Sequence, residues 1–369
     1  MKYLELLTGG MRGGGLTRTY RNLYKELCSF RNLELAYRKA RKNKRCKKSV
    51  QEFELNMERN LLQLKQELET LTYKPRPLRQ FVIRDPKTRV ISASHFRDRV
   101  VHHAVCNVIQ PLFERAFIID SYANQKSKGT HAALRRFDKF KRKASGNGRL
   151  VNRPKDNSMV IGYVLKADIK HYFDEVDNGI LLSILKHRIK DGNVISLIRK
   201  ILENHNYKDK NTGMPLGNLT SQFFANVYLN ELDYFVKHKL KARYYIRYVD
   251  DFILLDKSKE RLKYCKNEIN KFLKTIKLRL HSEKSKIFPL HRGMNLLGYR
   301  VFYHYKLIKR SNLRAIEKRL LRFKMLQERK CLSHIKIIQS IESWMAYAKH
   351  ANSYNIRKCI MRQLNSITV

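Results

Sequence analysis

The chain has 369 residues, 43% of them hydrophobic, and its 78 Lys and Arg residues against 32 acidic ones give a net charge of +46. Such an excess opposes compaction through self-repulsion, so it argues against a purely structural role and favours a polyanionic partner, most simply a nucleic acid. No apolar run approaches the roughly 20 residues that a membrane-spanning helix needs, and the six cysteines lack the spacing of a zinc site or a disulfide framework. We therefore expect a cytoplasmic protein without a membrane-spanning segment.

The N-terminal half predicts helices around one short pair of strands. Residues 20–72 read as helices, with Leu61, Leu64, Leu68 and Leu71 at helical spacing, and residues 73–114 read as a strand pair that leads into a helix. Another helix is expected from about Thr130. Between 38 and 48, eight of eleven residues are basic, which indicates either a solvated helix face or, as we favour, a phosphate-binding surface. The residues that we expect to contact phosphates there are Arg38, Lys39, Arg41, Lys42, Lys44 and Arg45.

The C-terminal half mixes strands and helices. A buried strand over residues 160–168 ends in Asp168, and a loop over 214–222 opens a long helix. The stretch "RYYIRYVDDFILL" predicts strand, tight turn and strand, with Asp250 and Asp251 at the tip. The order from residue 160 is β-α-α-β-β-α-β, which predicts an antiparallel sheet with helices on one face in an α+β fold. The remaining expected elements are helices near 178–190, 194–204 and 258–275, short strands near 278–289 and 295–303, and helices throughout 306–369.

Asp168, Asp250 and Asp251 are the candidate catalytic residues. Adjacent carboxylates repel each other, and a hairpin without a special task would carry Asn-Gly or Asp-Gly at its tip. If the two strand ends are neighbours, the three carboxylates converge, and oxygen ligands without His or Cys suit Mg²⁺. Two such ions can activate a 3′-hydroxyl and stabilise a leaving pyrophosphate. We therefore predict nucleotidyl transfer with two Mg²⁺ ions, Mn²⁺ being an alternative ion; the competing interpretation is a polar hairpin tip without metal.

Seven segments resemble the motifs of reverse transcriptases, in the same order along the chain. The finger motifs are "RVISASHFRDRVVHHAV" and "DSYANQKSKGTH", and the palm motifs are "VLKADIKHYFDEVD", "PLGNLTSQFFANVYLNELD", "YVDD", "LHSEKSKI" and "MNLLGYRVF". The resemblance covers most of residues 20–360. It implies a right-hand polymerase with fingers, a palm on an antiparallel ferredoxin-like sheet and an all-helical thumb, which copies template RNA into cDNA from a primer and dNTPs. The implied domains are a basic N-terminal helical extension (1–72), fingers (73–159), palm (160–305) and thumb (306–369).

A narrower resemblance concerns the type of reverse transcriptase. "LGNLTSQ", "SFRNLELAYRKARKNKR" and "SWMAYAKHANSY" are similar to segments of the enzymes of diversity-generating retroelements in bacteria and phages. That type implies copying errors at template adenines and a basic accessory protein as partner. The alternatives are retron, group II intron-like and defence-associated enzymes. We disfavour the intron type because no Cys- or His-rich endonuclease segment is found. An alternative of another class, a non-catalytic RNA-binding protein with a polymerase fold, is disfavoured by the intact aspartates.

The resemblance implies roles for individual residues near the aspartates. The carbonyl of Ile169 is expected to complete the metal site, and Phe173 matches the sugar gate that selects deoxynucleotides. Lys284 matches the lysine proposed to protonate the leaving pyrophosphate. Leu216 stands where most reverse transcriptases have Gln, beside the incoming nucleotide, and it is followed by Gly217 and Gln222 as further substrate contacts.

Other implied roles concern the triphosphate and the nucleic acid. Gln125 and Ser127 stand where the family usually has Arg and Gly, so neighbouring lysines are expected to take over part of the triphosphate grip. The finger residues expected at the triphosphate are Arg97, Arg99, Lys126 and Lys128. Residues 295–300 are expected to form the hairpin that holds the primer end. The remaining expected nucleic-acid contacts are Tyr248, Leu297 and Gly298, and Arg314, Lys318 and Arg322 in the thumb.

Overall fold

The computed structural model describes residues 18–84, 88–147, 160–205, 211–328 and 333–368. The chain divides into two compact units. The first unit contains the described residues up to Ser127, together with Ala167–Phe252 and Tyr264–Ser285; the second contains Lys128–Lys166, Ile253–Lys263 and the described residues from Lys286 onward. Residues 1–17 of the predicted N-terminal extension lie outside the described ranges.

The N-terminal part of the first unit is helical, as the leucine spacing predicted. Its helices are α1 (Leu23–Cys28), α2 (Phe30–Arg41), α3 (Lys48–Glu54) and α4 (Met57–Glu69). The amphipathic pattern of α4 places Leu61, Leu64 and Leu68 in the core, where each is fully buried. At the start of α2, the Ser29 hydroxyl accepts a hydrogen bond from the Asn32 N–H and so caps the helix.

The predicted strand pair and the two helices after it are also present. Strand β1 (Arg79–Ile83) pairs antiparallel with β2 (Arg89–Ala93), and α5 (Phe96–Glu114) follows directly. The apolar side of α5 includes Val100 and Val101, both fully buried. In the second unit, α6 (Thr130–Ala144) begins at the predicted residue.

The central sheet has four strands, β3 (Tyr163–Asp168), β4 (Tyr244–Tyr248), β5 (Asp251–Asp256) and β6 (Lys286–Pro289), in the order β4-β5-β3-β6. Strands β3 and β6 are antiparallel, with Tyr163 opposite Pro289 and Lys166 opposite Lys286. Together with the helices between the strands, this is the ferredoxin-like β-α-β-β-α-β arrangement. Since β3 and β5 are neighbours, the strand that ends in Asp168 lies beside the hairpin that carries the two other aspartates, as predicted.

Among the described residues, the α-helices that connect these strands are α7 (Tyr172–Glu175), α8 (Asn178–Arg188), α9 (Gly192–Glu203), α10 (Leu219–Tyr234) and α11 (Lys259–Thr275). Asp177 and Asp191 cap α8 and α9 by accepting hydrogen bonds from first-turn N–H groups. A π-helical turn (Phe235–Lys239) extends α10, which is buried around most of its circumference. In the part of the chain that the structure describes, no helix is both long and apolar enough to cross a bilayer.

The C-terminal part of the second unit combines a small sheet with helices. Strands β7 (Met294–Leu296), β8 (Tyr299–Val301) and β9 (Lys306–Ile308) precede helices α12 (Arg310–Glu328), α13 (His334–Ala348) and α14 (Tyr354–Thr368). The helices pack around a core that includes Ile316, Ile337 and Trp344.

Two sequence predictions are wrong in the part of the chain after α11. Helices throughout 306–369 were expected, but Lys306–Ile308 pairs with β8, because backbone ladder bonds and the burial of Ile308 override the helical pattern that follows. The strand expected near 278–289 is regular only from Lys286 onward. Leu280 makes one isolated bridge to Ile169, after which the chain turns to meet Asp168.

Candidate active site

Asp168 and Asp250 are brought together in the first unit by backbone pairing. Asp168 closes β3 and is only 9% exposed. The Ile169 N–H donates to the Asp250 carbonyl at 3.3 Å, and the His281 N–H donates to the Asp168 carbonyl at 2.8 Å. Asp251, the first residue of β5, adds a third carboxylate next to Asp250. The carbonyl of Ile169, a buried residue, belongs to the same short segment.

The electrostatics of these carboxylates favour a cation. The pKa of the Asp250 carboxyl is raised to about 6, first by burial and then by the neighbouring carboxylates of Asp168 and Asp251. Lys284 Nζ lies 2.5 Å from Asp168 Oδ2 and supplies one positive charge. Among the described residues, no group of three or more His, Cys, Asp and Glu side chains is gathered closely enough to hold a metal ion as placed. The donor set still fits a divalent cation, since Mg²⁺ prefers carboxylate oxygens and its charge would relieve their repulsion.

The hairpin tip that carries Asp250 is strained. Val249 has a φ of 56°, in the left-handed region that a β-branched residue rarely adopts. The Arg247 guanidinium, through Nη1, donates to the Val249 carbonyl at 3.2 Å. Residues in such conformations persist where the surrounding structure determines them, and this occurs mainly at functional sites.

Arg247 belongs to a buried polar network that sequence reasoning missed. Its side chain and that of Asp233 are both fully buried, and they form two hydrogen bonds of 2.7 and 2.6 Å. Arg247 also donates to Asn226 Oδ1 at 3.1 Å, and the Tyr245 hydroxyl donates to Asp233 at 2.7 Å. The sequence does contain a signal for this network: a lone arginine in an otherwise apolar strand, and an aspartate on a mostly apolar helix.

The same arginine also ties a finger motif to the hairpin through its backbone. The Tyr122 N–H donates to the Arg247 carbonyl, and the Arg247 N–H donates to the Asp120 carbonyl, both at 3.0 Å. Farther along this motif, Gln125 Nε2 donates to the Ser121 carbonyl at 3.2 Å. Ser127, where the family usually has Gly, has a φ of 60°, so the position requires the left-handed backbone that Gly adopts without cost.

The predicted sugar gate and the loop before α10 also lie in the first unit. Phe173 is half-buried, with its ring centroid 5.3 Å from that of Tyr172 in an edge-on contact. The carbonyl of half-buried Leu216 accepts a hydrogen bond from the Ser92 N–H of β2 at 3.2 Å.

The next residue, Gly217, has a φ of 113°, and a Cβ there would lie 3.0 Å from Ile91 Cγ2. Only glycine therefore fits this approach of the loop to β2. Gln222, in the first turn of α10, is exposed.

The two finger arginines already have protein partners. Arg97 forms an ion pair with Glu67 and lies over the Tyr73 ring at 5.4 Å. Arg99 Nε donates to the Ser94 carbonyl at 2.9 Å. A role for either at a triphosphate stays a prediction, and it requires these contacts to be shared or exchanged.

The basic run of the first unit lines a groove. The pKa of Lys39 is lowered by burial and by the nearby charge of Lys126, and the pKa of Lys44 is lowered by burial and then by Arg99 and Lys47. The smaller part of this lowering comes from like charges held close together, and an anion would relieve that repulsion. The cavity there has a volume of about 1100 Å³, and we call it the basic groove; its basic lining residues are Arg38, Arg41, Lys42, Lys44, Arg45 and Lys47.

The remaining predicted contacts are divided between the units. Half-buried Tyr248 ends β4 in the first unit, and Lys128 belongs to the second. In the second unit, Leu297 and Gly298 form the two-residue turn between β7 and β8. Arg314, Lys318 and Arg322 are exposed and follow one another at intervals of four residues along α12, so they lie on one helix face.

Comparison with known proteins identifies the class. Residues 83–301 match the family described as reverse transcriptase (RNA-dependent DNA polymerase). The match covers more than half of the chain, which therefore belongs to the reverse transcriptase family and has the right-hand polymerase fold. This family comprises RNA-directed DNA polymerases, which act on a nucleic-acid template and dNTPs.

The chain is similar to two bacterial proteins and to one solved structure. Protein YkfC of Escherichia coli (strain K12) is 26% identical over 278 residues, which cover 64% of this chain and 70% of YkfC. The group II intron-encoded protein LtrA of Lactococcus lactis subsp. cremoris is 25% identical over 313 residues, covering 66% of this chain and 49% of LtrA. The chain thus spans about half the length of LtrA. Apo telomerase from Candida tropicalis, truncated from the C-terminal domain, superimposes with a TM-score of 0.47 and 15% identity, covering 63% of this chain and 54% of that one.

Proposed function

We propose that cDNA synthesis by this chain takes place at Asp168 and Asp250, which hold two Mg²⁺ ions with the help of Asp251 and the Ile169 carbonyl. The observation that carries the proposal is the meeting of Asp168 and Asp250 at one strand end, where the pKa of Asp250 is raised to about 6. Bound Mg²⁺, or Mn²⁺ in its place, supplies Lewis-acid activation of the primer 3′-hydroxyl and charge stabilisation of the leaving pyrophosphate.

The other side chains are proposed to donate a proton, to exclude ribonucleotides or to bind nucleic acid. Lys284 is the proposed proton donor to pyrophosphate, and its ammonium lies within 2.5 Å of the proposed metal ligand Asp168. Phe173 provides a bulky ring that would clash with a ribose 2′-hydroxyl. The basic groove and the exposed basic face of α12 are the proposed contacts for the template RNA and for the primer and cDNA strands, since clustered Lys and Arg neutralise phosphates.

The test uses isosteric substitutions of the proposed ligands. Asp168→Asn and Asp250→Asn should each lower primer extension on an RNA template by about 100-fold or more, because the neutral amide loses charge stabilisation worth several kcal/mol. RNA affinity should stay within a few fold. Asp256→Asn, at the far end of β5, is the matched control and should remain active. Synthesis at the wild-type level in either ligand variant would overturn the metal assignment.

We further propose that the enzyme is of the diversity-generating type, and is error-prone at template adenines. The support is the segment "LGNLTSQ", in which Leu216 replaces a side chain able to donate and accept hydrogen bonds. An apolar wall discriminates between substrates by only about 1–3 kcal/mol, whereas a hydrogen-bonding site can reject misfits more strongly. The proposal includes a basic accessory protein as a partner. It also places the protein in the cytoplasm of a bacterial cell, encoded by a bacterial or phage gene.

A group II intron-like enzyme is the second candidate, favoured by the similarity to LtrA. The substitution Leu216→Gln separates the two. The diversity-generating proposal expects fewer errors in the variant, mainly opposite adenine, as counted by sequencing cDNA from a defined template. An unchanged error spectrum with polymerisation intact would favour the second candidate.

A further inference from the structure

The turn between β7 and β8 has an unfavourable backbone conformation. Leu296 pairs with Tyr299, so the loop consists of two residues, Leu297 with a φ of 47° and Gly298 with a φ of 91°. Positive φ at both loop positions characterises the type I′ turn, for which Asn-Gly is strongly preferred. Leucine at the first position is strained, because its Cβ crowds the following carbonyl. The turn therefore needs support from its surroundings.

That support converges on a single carbonyl. The Gly298 carbonyl accepts hydrogen bonds from the Tyr347 hydroxyl at 2.5 Å, the Lys309 N–H at 3.2 Å and Asn312 Nδ2 at 3.3 Å. Asn312 Nδ2 also donates to the Tyr347 hydroxyl at 2.9 Å. A carbonyl oxygen has two lone pairs, so three donors saturate it. The start of α12 and the end of α13 are thereby fixed to the turn.

Tyr347 is connected to the adjacent strand as well. The fully buried Tyr299 donates its hydroxyl to the Tyr347 carbonyl at 2.8 Å, and the two rings lie 4.7 Å apart. A Cβ on Gly298 would lie 3.1 Å from the Tyr347 hydroxyl, so glycine also permits the close approach. Tyr347 belongs to "SWMAYAKHANSY", a segment to which the proposed chemistry gives no role.

We infer that Tyr347 and Asn312 are positioning residues that hold the Leu297–Gly298 turn in the geometry that receives the 3′ end of the primer strand. The inference rests on the proposed function and on the role expected for residues 295–300, which form the hairpin that holds the primer end. A strained conformation persists only where its surroundings over-determine it, and such places are commonly functional. A turn held on three sides presents the strand end in one position, and small misplacement of a reacting group slows a bond-forming step substantially.

The test is Tyr347→Phe in the full-length protein, which removes the hydroxyl and keeps the ring. Single-turnover extension of a pre-bound primer–RNA template should slow by roughly fivefold to tenfold, the equivalent of about one lost hydrogen bond. The KM for dNTP and the affinity for the primer–template should change less than about twofold, a split that general loss of structure would not give. Tyr354→Phe, whose ring is exposed on α14 in the same unit, is the matched control and should extend at the wild-type rate.

A second variant protects the test against a folding defect. Asn312→Ser removes the amide that bridges the carbonyl and the hydroxyl, and it should reproduce the slow extension. Because both residues act on one carbonyl, the double variant should slow extension, relative to the wild type, by less than the product of the two single-variant effects. Wild-type rates in both single variants would overturn the inference while leaving the proposed function intact. Absence of extension by the wild-type chain would instead count against the proposed function.

Discussion

The buried pair of Arg247 and Asp233 gives the sharpest prediction about how the hairpin tip is held. Both side chains have 0% exposure, so Asp233→Ala leaves a guanidinium buried without its counter-charge. Removing one partner of such a pair costs about 3–5 kcal/mol, a large share of the roughly 5–15 kcal/mol that stabilises a typical domain. Urea denaturation should therefore show a strongly lowered midpoint. Glu268→Ala, which breaks the more exposed pair with Lys271, should cost at most about 1 kcal/mol.

A compensated variant separates stability from positioning. Asp233→Leu with Arg247→Met and Tyr245→Phe removes the charges and the hydroxyl together, and apolar replacement of a buried ion pair often restores stability. The hydrogen bond from Arg247 to the Val249 carbonyl is still lost, and the strain at Val249, about 1–3 kcal/mol for a residue of this kind, is then free to relax. We expect stability within about 1–3 kcal/mol of the wild type, because Asn226 Oδ1 loses its donor, with primer extension lowered by about tenfold or more. Wild-type extension in the stable triple variant would refute the positioning role of Arg247.

Three further predictions concern the sugar, the salt and the pH. Phe173→Ala should raise the use of rNTPs relative to dNTPs in single-nucleotide incorporation, since the half-buried ring no longer blocks a 2′-hydroxyl; an unchanged ratio would make Phe173 a packing residue. RNA affinity, followed by fluorescence anisotropy, should fall steeply with salt, and Lys42→Gln or Arg45→Gln in the basic groove should each lower the slope of log K against log salt by about 1; unaltered slopes would place the RNA elsewhere. The pKa of Glu231 is raised to about 7, mainly by burial, so the folded chain keeps a proton that the unfolded chain loses above its ordinary pKa. The stability that this proton contributes is fully present below about pH 4.5 and is lost as pH rises to about 7, and it amounts to at most about 3 kcal/mol. Glu231→Gln should remove this pH dependence of the unfolding free energy and be the more stable form at pH 8. Equal stability of both forms at pH 8 would contradict the prediction.

The parts of the site that follow local sequence rules were predictable. Alternation of apolar residues fixed the hairpin before Asp250, and the buried run before Asp168 indicated its strand. Strands β4 and β5 form where these patterns predict them, but the three central residues of β4 are all buried, so its burial does not alternate. The pairing of β3 with β5 could be predicted from the order of the elements, because a β-α-β-β-α-β order favours one arrangement of the strands in the sheet.

The contacts that were missed depend on partners far along the chain. Nothing near Arg247 in the sequence indicates that Asp233 and the Val249 carbonyl will both receive its guanidinium. Arg97 was expected at a phosphate, yet Glu67 on another helix pairs with it. Strand β9 is three residues long, and so short an element is determined by its pairing with β8 more than by its own pattern.

The first unit is built from separate segments of the chain, and this has a consequence for biosynthesis. Its last segment ends at Ser285, and that segment carries the backbone and side-chain groups that hold Asp168: the His281 N–H, the Lys284 ammonium and the Ser285 hydroxyl. The contact between Lys284 and Asp168 spans 116 positions of the chain, and such distant contacts form late in folding because loop closure costs entropy. A nascent chain on the ribosome therefore exposes its basic N-terminal helices to cellular RNA well before it can assemble these aspartates. Under the proposed function, the protein can meet nucleic acid during translation in a state that does not yet copy it.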